Sequence, residues 1–296
     1  MDLFILEVLI GGLLTGVLYA LVALGFVLIF KASAVFNFAQ GSMCLFAALA
    51  LVRLTEVMPT TLALFCAAAI MIALAFAIER LVLRPLVNLI LFMATIGITF
   101  FLDGFGQSLF GSEVYTLDLG IPKDPLILFE GLIRGGILVN EFDLWAAVAA
   151  GVLVTVLAVL FQRTRIGRAL RAVADDHQAA LSVGIPLRHI WVIVWSVSGL
   201  VALVAGIIWG SKLGVQFSIA LVALKALPVL MLGGLTSVPG AIVGGLIVGA
   251  GEKLSEVFLG PFLGGGIENW FAYVLALLFL LVRPQGLFGE RIIERV

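Results

Sequence analysis

The side chains that could do chemistry in this 296-residue chain are few, and most of them stand inside or beside apolar runs. Lys225 and Asp103 fall within such runs, and Asn37, Gln40 and Asn88 lie nearer their edges. A charge at membrane depth is costly and reads first as functional, as an ion sensor or a solute contact. The alternative is that Lys225 and Asp103 pair structurally. Pro228, three residues after Lys225, removes a backbone donor and is expected to break or kink its helix. Broken helices beside polar residues are where transporters build pathways. Asn37, Gln40, Gly41, Asp103, Lys225 and Pro228 are therefore the candidate pathway residues. Other chemistry is not supported. There is no Gly-Lys pair and hence no phosphate-binding loop, no HExxH and no CxxC. No Ser/His/Asp set sits at membrane depth, so an intramembrane hydrolase is not expected, and neither catalytic nor metal-ligating residues are expected in this chain. Cys44 and Cys66 sit in apolar runs and read as small core residues rather than as a metal or disulfide pair.

The elements that must position these residues follow from composition. The chain is 63% apolar and 12% charged, against roughly 25% charged in a soluble domain. Its apolar residues come in long runs, the pattern of an all-α, polytopic helical membrane protein, because only helices and closed barrels satisfy the backbone in lipid. The short period-two segments of a barrel are absent. A net charge of −1 and no basic stripe outside one polar island exclude a nucleic-acid partner. Spans are expected at about 6–30, 32–52, 60–78, 87–110, 144–161, 190–209, 215–232, 241 to 252 or beyond, and 270–282. The eighth and ninth are short and need their flanks or a re-entrant path, so the expectation is eight or nine transmembrane helices including short or broken Gly-rich segments. The N-terminus carries Asp2 and Glu7 in place of a basic region and reads as part of the first span, not as a signal peptide. The whole of 1–296 reads as a single transmembrane domain, with a polar, acidic connection over 111–143.

The polar island is 163–189, which holds five arginines, Asp175, Asp176 and both histidines, His177 and His189. Its first two-thirds read as a surface helix and Gly184-Ile185-Pro186 as its stop. Ile166, Leu170 and Val173 form one apolar face, and Arg171 can pair with Asp175 at i, i+4. With nine spans and an outer N-terminus, eleven of the 17 basic residues fall in inner loops and five, among them Lys253 and Arg134, in outer loops. Lys225 remains inside a span. The positive-inside rule thus puts the island and the C-terminus in the cytosol and the 111–143 connection in the periplasm. Small residues repeat at helical spacing: Gly12 and Gly16, Gly206 and Gly210, Gly240 and Gly244, Gly245 and Gly249. Such pairs let backbones approach in lipid, by packing within the chain or, for the 240–249 stripe, as a subunit contact.

Taken in order, several stretches carry a resemblance: Asn37-Phe38-Ala39-Gln40-Gly41; Ile78-Glu79-Arg80 with Arg84-Pro85; Ile96-Gly97; Gly167-Arg168-Ala169 through Arg171-Ala172, Asp175, Ala179 and Gly184; Gly233-Gly234; Pro239-Gly240-Ala241; Gly244-Gly245; and Pro284 with Gly286. Along nearly its whole length the chain resembles the permease subunits of branched-chain amino acid ABC importers, the H-type member of the Liv systems. It departs from them in having Gln40 and Ser42 where the family often has His and Glu.

The resemblance implies a non-enzymatic, multi-pass subunit of the bacterial inner membrane. It implies half of a translocation pathway for branched-chain or hydrophobic amino acids, completed by a second, similar permease. Two cytosolic ATPases would hold ATP and Mg, this chain binding no cofactor, and a periplasmic binding protein would deliver the solute. The island becomes a coupling helix, with Gly167, Arg168, Arg171, Ala172, Asp175, Ala179 and Gly184 as its docking residues. The alternative for the island is an amphipathic helix lying on the anionic inner leaflet of the lipid. Relatives of the same build carry urea, short amides or aromatic acids, and the rival class is a self-sufficient secondary transporter or channel.

Overall fold

The computed structural model describes residues 2–86, 88–128 and 136–289. Arg134, Arg291 and Arg295 of the loop-charge tally lie outside them. The elements run α1 (Asp2–Ser33), α2 (Gln40–Val57), α3 (Thr60–Ala77) continued by a π-helical turn (Ile78–Leu83), and α4 (Asn88–Phe110). Strands β1 (Pro125–Leu128) and β2 (Ile137–Asn140) follow, then α5 (Glu141–Arg163), α6 (Arg165–Asp175), α7 (His177–Ser182) and α8 (Leu187–Leu213). The chain ends with α9 (Ser218–Gly233), α10 (Val238–Leu263), a 3₁₀ turn (Ile267–Asn269) and α11 (Phe271–Val282). Each of the nine apolar runs is thus a helix, and the chain is a polytopic helical membrane protein. Among the described residues, five helices are long and apolar enough to cross a bilayer alone: α1, α2, α3 with its π turn, α5 and α8. A sixth crossing is possible if α9 and α10 form one span bent by 115°.

The chain divides into two compact units, and it passes between them within α1, α5 and α9 and once in the loop after α4. The first holds residues 1–23, 120–154 and 225–296; the second holds 24–119 and 155–224. In the second unit α2 is the central helix, with every residue from Gln40 to Val52 buried. It packs against α3, α4 and α8. Contact with α8 is close because Gly206 has no side chain: a Cβ there would run into the Cys44 carbonyl. Val156 and Val159 of α5 stay exposed, as lipid-facing residues should.

The first unit is built on glycine against glycine. A Cβ on Gly16 would stand 2.6 Å from the Gly245 oxygen, and one on Gly245 would stand 2.6 Å from the Gly16 oxygen. Gly249 meets Gly12 and Gly16 at 2.5 Å in the same sense. The other two members of the stripe face α9, Gly240 against Gly233 and Gly244 against the Val229 oxygen at 2.6 Å. All four stripe glycines are buried in packing within the chain.

Three expectations need correction. Of the break or kink expected at Pro228, the break does not occur: α9 runs from Ser218 to Gly233 through it, and the 115° bend between α9 and α10 comes later, at residues 234–237. Lys253 is not in a loop: the eighth run, expected to reach Glu252 or beyond, continues as α10 to Leu263. It continues because its charges find partners. Tyr19 donates to Glu252 at 2.9 Å, Lys253 bridges to Glu268 at 3.1 Å, and the Glu256 carboxylate accepts from the Gly266 and Glu268 amides at 2.9 and 3.0 Å. The 111–143 connection, read only as a polar link, contains an antiparallel pair with Pro125 opposite Asn140 and Leu128 opposite Ile137.

Leucine at Gly16 or Gly245 is expected to lower the thermal unfolding temperature of the detergent-purified protein. The overpacking cost is about 1–3 kcal/mol or more, since backbone rather than a movable side chain is in the way. Alanine at Gly97 or Gly104, where a Cβ meets nothing within 4 Å, should leave that temperature unchanged or raise it slightly.

Candidate functional site

The polar island folds as a tight corner at the end of α5. Thr164 caps α6, its hydroxyl oxygen accepting from the Gly167 amide at 3.2 Å and its hydroxyl donating back to the Leu160 carbonyl at 2.5 Å. Gly167 lies so close to the last turn of α5 that a Cβ would run into the Phe161 carbonyl. Arg171 closes the corner, but not through Asp175. Its guanidinium donates to the Phe161 oxygen at 2.7 Å and to the Gln162 oxygen at 3.2 and 3.3 Å. A charged donor there satisfies carbonyls that the end of a helix leaves without partners.

The expected helix is two helices. Asp176 sits between them in extended conformation and caps α7, accepting from the Gln178 and Ala179 amides at 2.7 and 3.0 Å. Gly184, at φ +82°, ends α7 in the left-handed region, so the Gly-Ile-Pro stop is where the sequence puts it. Two of the three residues of the α6 apolar face are turned inward, Leu170 and Val173 at 2% and 0% exposed, while Ile166 stays 38% exposed. What faces outward is Arg165, Arg168 and Asp175, with Ala179 of α7, while Ala172 is half-buried. A helix that spends most of its apolar face on its own chain keeps only Ile166 of that face to insert into lipid.

Asn37, Gln40 and Gly41 come together with a partner that the sequence did not suggest, Ser198 of α8. Asn37 donates to Gln40 Oε1 at 3.2 Å, and its own oxygen accepts from the Ala39 amide at 3.1 Å. The Ser198 hydroxyl lies 2.8 Å from Gln40 Oε1 and 3.2 Å from the Gly25 carbonyl, with one proton to give. Asn37, Gln40 and Ser198 are all 0% exposed. Gly25 makes room for the Gln40 amide, and Gly41 for the Ala220 carbonyl, where a Cβ would collide. This node fastens α1, α2 and α8 together by satisfied polar groups, and a solute reaches it only if those helices part. Asp103 lies on α4 in this same unit, its Oδ1 buried without a hydrogen-bond partner among the described residues.

The first unit has its own polar cluster. Lys225 of α9 donates to the Glu268 carbonyl at 3.3 Å. Glu252, 3% exposed, accepts from Tyr19 through one oxygen, and the other has no partner among the described residues. The charges of Lys225, Lys253 and Glu268 all act on it. Sequence reasoning gave Glu252 no role, using it only as a marker near the end of a span. The available signal was a carboxylate inside a Gly-rich apolar run. No group of three or more metal-ligating side chains occurs among the described residues.

Comparison with known proteins places this geometry. The family described as branched-chain amino acid transport system / permease component matches residues 8–283. The chain is 29% identical to the high-affinity branched-chain amino acid transport system permease protein BraD of Pseudomonas aeruginosa, over 98% of both chains. It is 29% identical to the permease protein LivH of Escherichia coli K12, over 99% of this chain and 98% of that one. It is also 28% identical to a probable branched-chain amino acid transport permease protein of Methanocaldococcus jannaschii, over 94% and 91%.

Replacing Gln40 by Leu leaves the Ser198 hydroxyl only the longer bond to the Gly25 carbonyl and the Asn37 amide only a weak contact with the Met43 sulfur. It should cost about 1–3 kcal/mol of stability. Adding Ser198→Ala to that variant should cost less than Ser198→Ala costs in the parent, because the partner is already gone. Thermal unfolding of the four proteins in one detergent measures this coupling.

Proposed function

This chain belongs to the family of branched-chain amino acid transport system permease components, transport subunits rather than enzymes, and on that premise we propose that it forms half of the translocation pathway of an ATP-driven importer in the bacterial inner membrane. A periplasmic binding protein delivers a branched-chain or other hydrophobic amino acid to it. A second, similar permease completes the pathway, and two cytosolic ATPases supply the energy with ATP and Mg that this chain does not bind. The N-terminus lies on the periplasmic side with the 111–143 connection, and the island lies in the cytosol with the C-terminus, the arrangement favoured by the loop charges.

The observation that carries this reading is the corner made by α5 and α6. Leu170 and Val173 are spent within the chain, Ile166 is the one residue of the apolar face left exposed, and the other outward groups of α6, Arg165, Arg168 and Asp175, are charged and clear of the packing. That is a surface for a charged protein groove, not for hydrocarbon. Gly167 and Arg171 act inside the corner, holding it on α5, while Arg168, Asp175 and Ala179 present the contact. Gly184 sets where the chain turns back into α8. Asp103, with a buried oxygen lacking a hydrogen-bond partner among the described residues, and Lys225 are the proposed pathway groups. Asn37, Gln40, Gly41 and Pro228 shape the helices around that pathway. The cargo is set chiefly by the binding protein, and a thermal-shift screen of that protein against amino acids, urea, amides and aromatic acids identifies it.

Two results are expected. Proteoliposomes holding the chain with its partners should accumulate leucine only with ATP, and the chain alone should accumulate none under an ion or proton gradient. Robust gradient-driven uptake by the chain alone would overturn the reading in favour of a secondary transporter. Second, exchanging the outward charges, Arg168→Glu with Asp175→Lys, should reduce ATPase co-purification about tenfold while leaving the unfolding temperature in place.

A further inference from the structure

Where α3 widens into its π turn and α8 begins, the second unit encloses a cavity of about 860 Å³ that the transport reading leaves unused. Its lining is divided by chemistry. Arg80, Arg84, Arg188 and His189 supply the polar part, and the three arginines are exposed. None of the three lies within ion-pair distance of a carboxylate among the described residues. Their charges all act on one buried carboxylate, Glu79, which is 2% exposed and has an oxygen without a hydrogen-bond partner among the described residues. One negative charge against three guanidinium groups leaves the mouth strongly positive.

The apolar part is Phe76, Leu187, Trp191 and Ile193. Trp191 is held in place by its indole N–H, which donates to the Ala32 carbonyl at 3.1 Å. The Arg80 guanidinium lies over the Phe76 ring, 5.6 Å from its centre. Below the mouth, the exposed residues Phe65, Ile72 and Phe76 run along one face of α3 and lead up to the cavity. A ligand that fits has a phosphate, or an equivalent anion, joined to a hydrocarbon chain. The arginines hold the anion and the α3 stripe holds the chain.

We propose that this cavity binds the headgroup of an anionic phospholipid of the leaflet that faces the island, with an acyl chain lying on α3. A basic pocket beside membrane helices is suited to such a headgroup. The stripe favours a lipid over free phosphate, and a soluble acidic protein has no use for a track that runs down into the hydrocarbon. The inference rests on the chain lying in a membrane and not on the docking of α6, so the two can fail separately.

The test is native mass spectrometry of the full chain, stripped of lipid in detergent and then given phosphatidylglycerol, phosphatidylcholine of the same acyl chains, or inorganic phosphate. Phosphatidylglycerol should be retained about tenfold over phosphatidylcholine. The triple substitution Arg80→Gln, Arg84→Gln, Arg188→Gln should bring the two to parity, and lysine at the same three positions should keep the preference. Millimolar inorganic phosphate should not displace the lipid. If the glutamine variant does not fold, brominated lipids serve in its place. Dibrominated phosphatidylglycerol should quench the fluorescence of the parent more than dibrominated phosphatidylcholine does, and Trp191→Phe should abolish that difference. Equal retention of the two lipids, full displacement by phosphate, or quenching differences unchanged by Trp191→Phe would each overturn the proposal. So would a glutamine variant that keeps its lipid preference but loses the ATPases, which assigns the cavity to a protein contact.

Discussion

Helices already inside lipid gain nothing from the hydrophobic effect by touching one another, so something else must hold them together. In this chain the substitute is backbone brought against backbone. Where Gly12 and Gly16 of α1 cross Gly245 and Gly249 of α10, the carbonyls of one helix occupy the space a side chain would fill on the other. Dispersion forces between close-packed atoms are individually small and fall off steeply with separation. Removing the Cβ at the crossing is therefore worth more than any single added contact. The second unit repeats the device at Gly206 against α2 and at Gly199 against the Met71 carbonyl, 3.1 Å from where a Cβ would stand.

Polar groups do the rest, under the same constraint. In hydrocarbon no water waits to satisfy them, so each one either finds a partner in the chain or raises the energy of the fold. Gln40 is the clearest case: its amide oxygen draws in Asn37 from the preceding loop and Ser198 from α8, fixing how α2 enters the bundle. The same logic explains why α10 does not stop at its charges. Glu252, Lys253 and Glu256 lie within one stretch of helix, and each has a partner on α1 or in the 265–268 segment. A charge that is paired no longer obliges the helix to end.

That is also where the sequence was least readable. Long apolar runs and the island's turn signals identified every helix that is long in the structure, because run length and the 3.6-residue period are local properties. The partner of Glu252 is Tyr19, more than 200 positions away, and no local pattern announces it. Pro228 misled for a related reason: losing one hydrogen bond bends an isolated helix, but packing against the Gly240–Gly244 face holds α9 in register. The apolar period of α6 was visible, but periodicity says only that one face is buried and not what buries it. Lipid, a partner protein and the chain itself leave the same pattern. The Asn37–Gln40–Gly41 cluster was visible as polar residues at a span's edge, whereas its closure by Ser198 was not.

The orientation of α6 has a mechanical consequence under the docking proposed for it. A helix that transmits motion must not yield at its own root. Here the root is fixed three times over: by the Thr164 cap, by the absence of a Cβ at Gly167 against Phe161, and by the Arg171 bonds to the last carbonyls of α5. Leu170 and Val173 add a fourth anchor by burying the inner face. A force applied to the outward charges then passes into α5 rather than being absorbed as rotation at residue 164. The break between α6 and α7 sits on the far side of that lever, at Asp176, where flexing does not loosen the grip on α5. A corner that is fixed at α5 and jointed away from it suits the partner-driven role proposed for this chain, whose sequence has no nucleotide motif of its own.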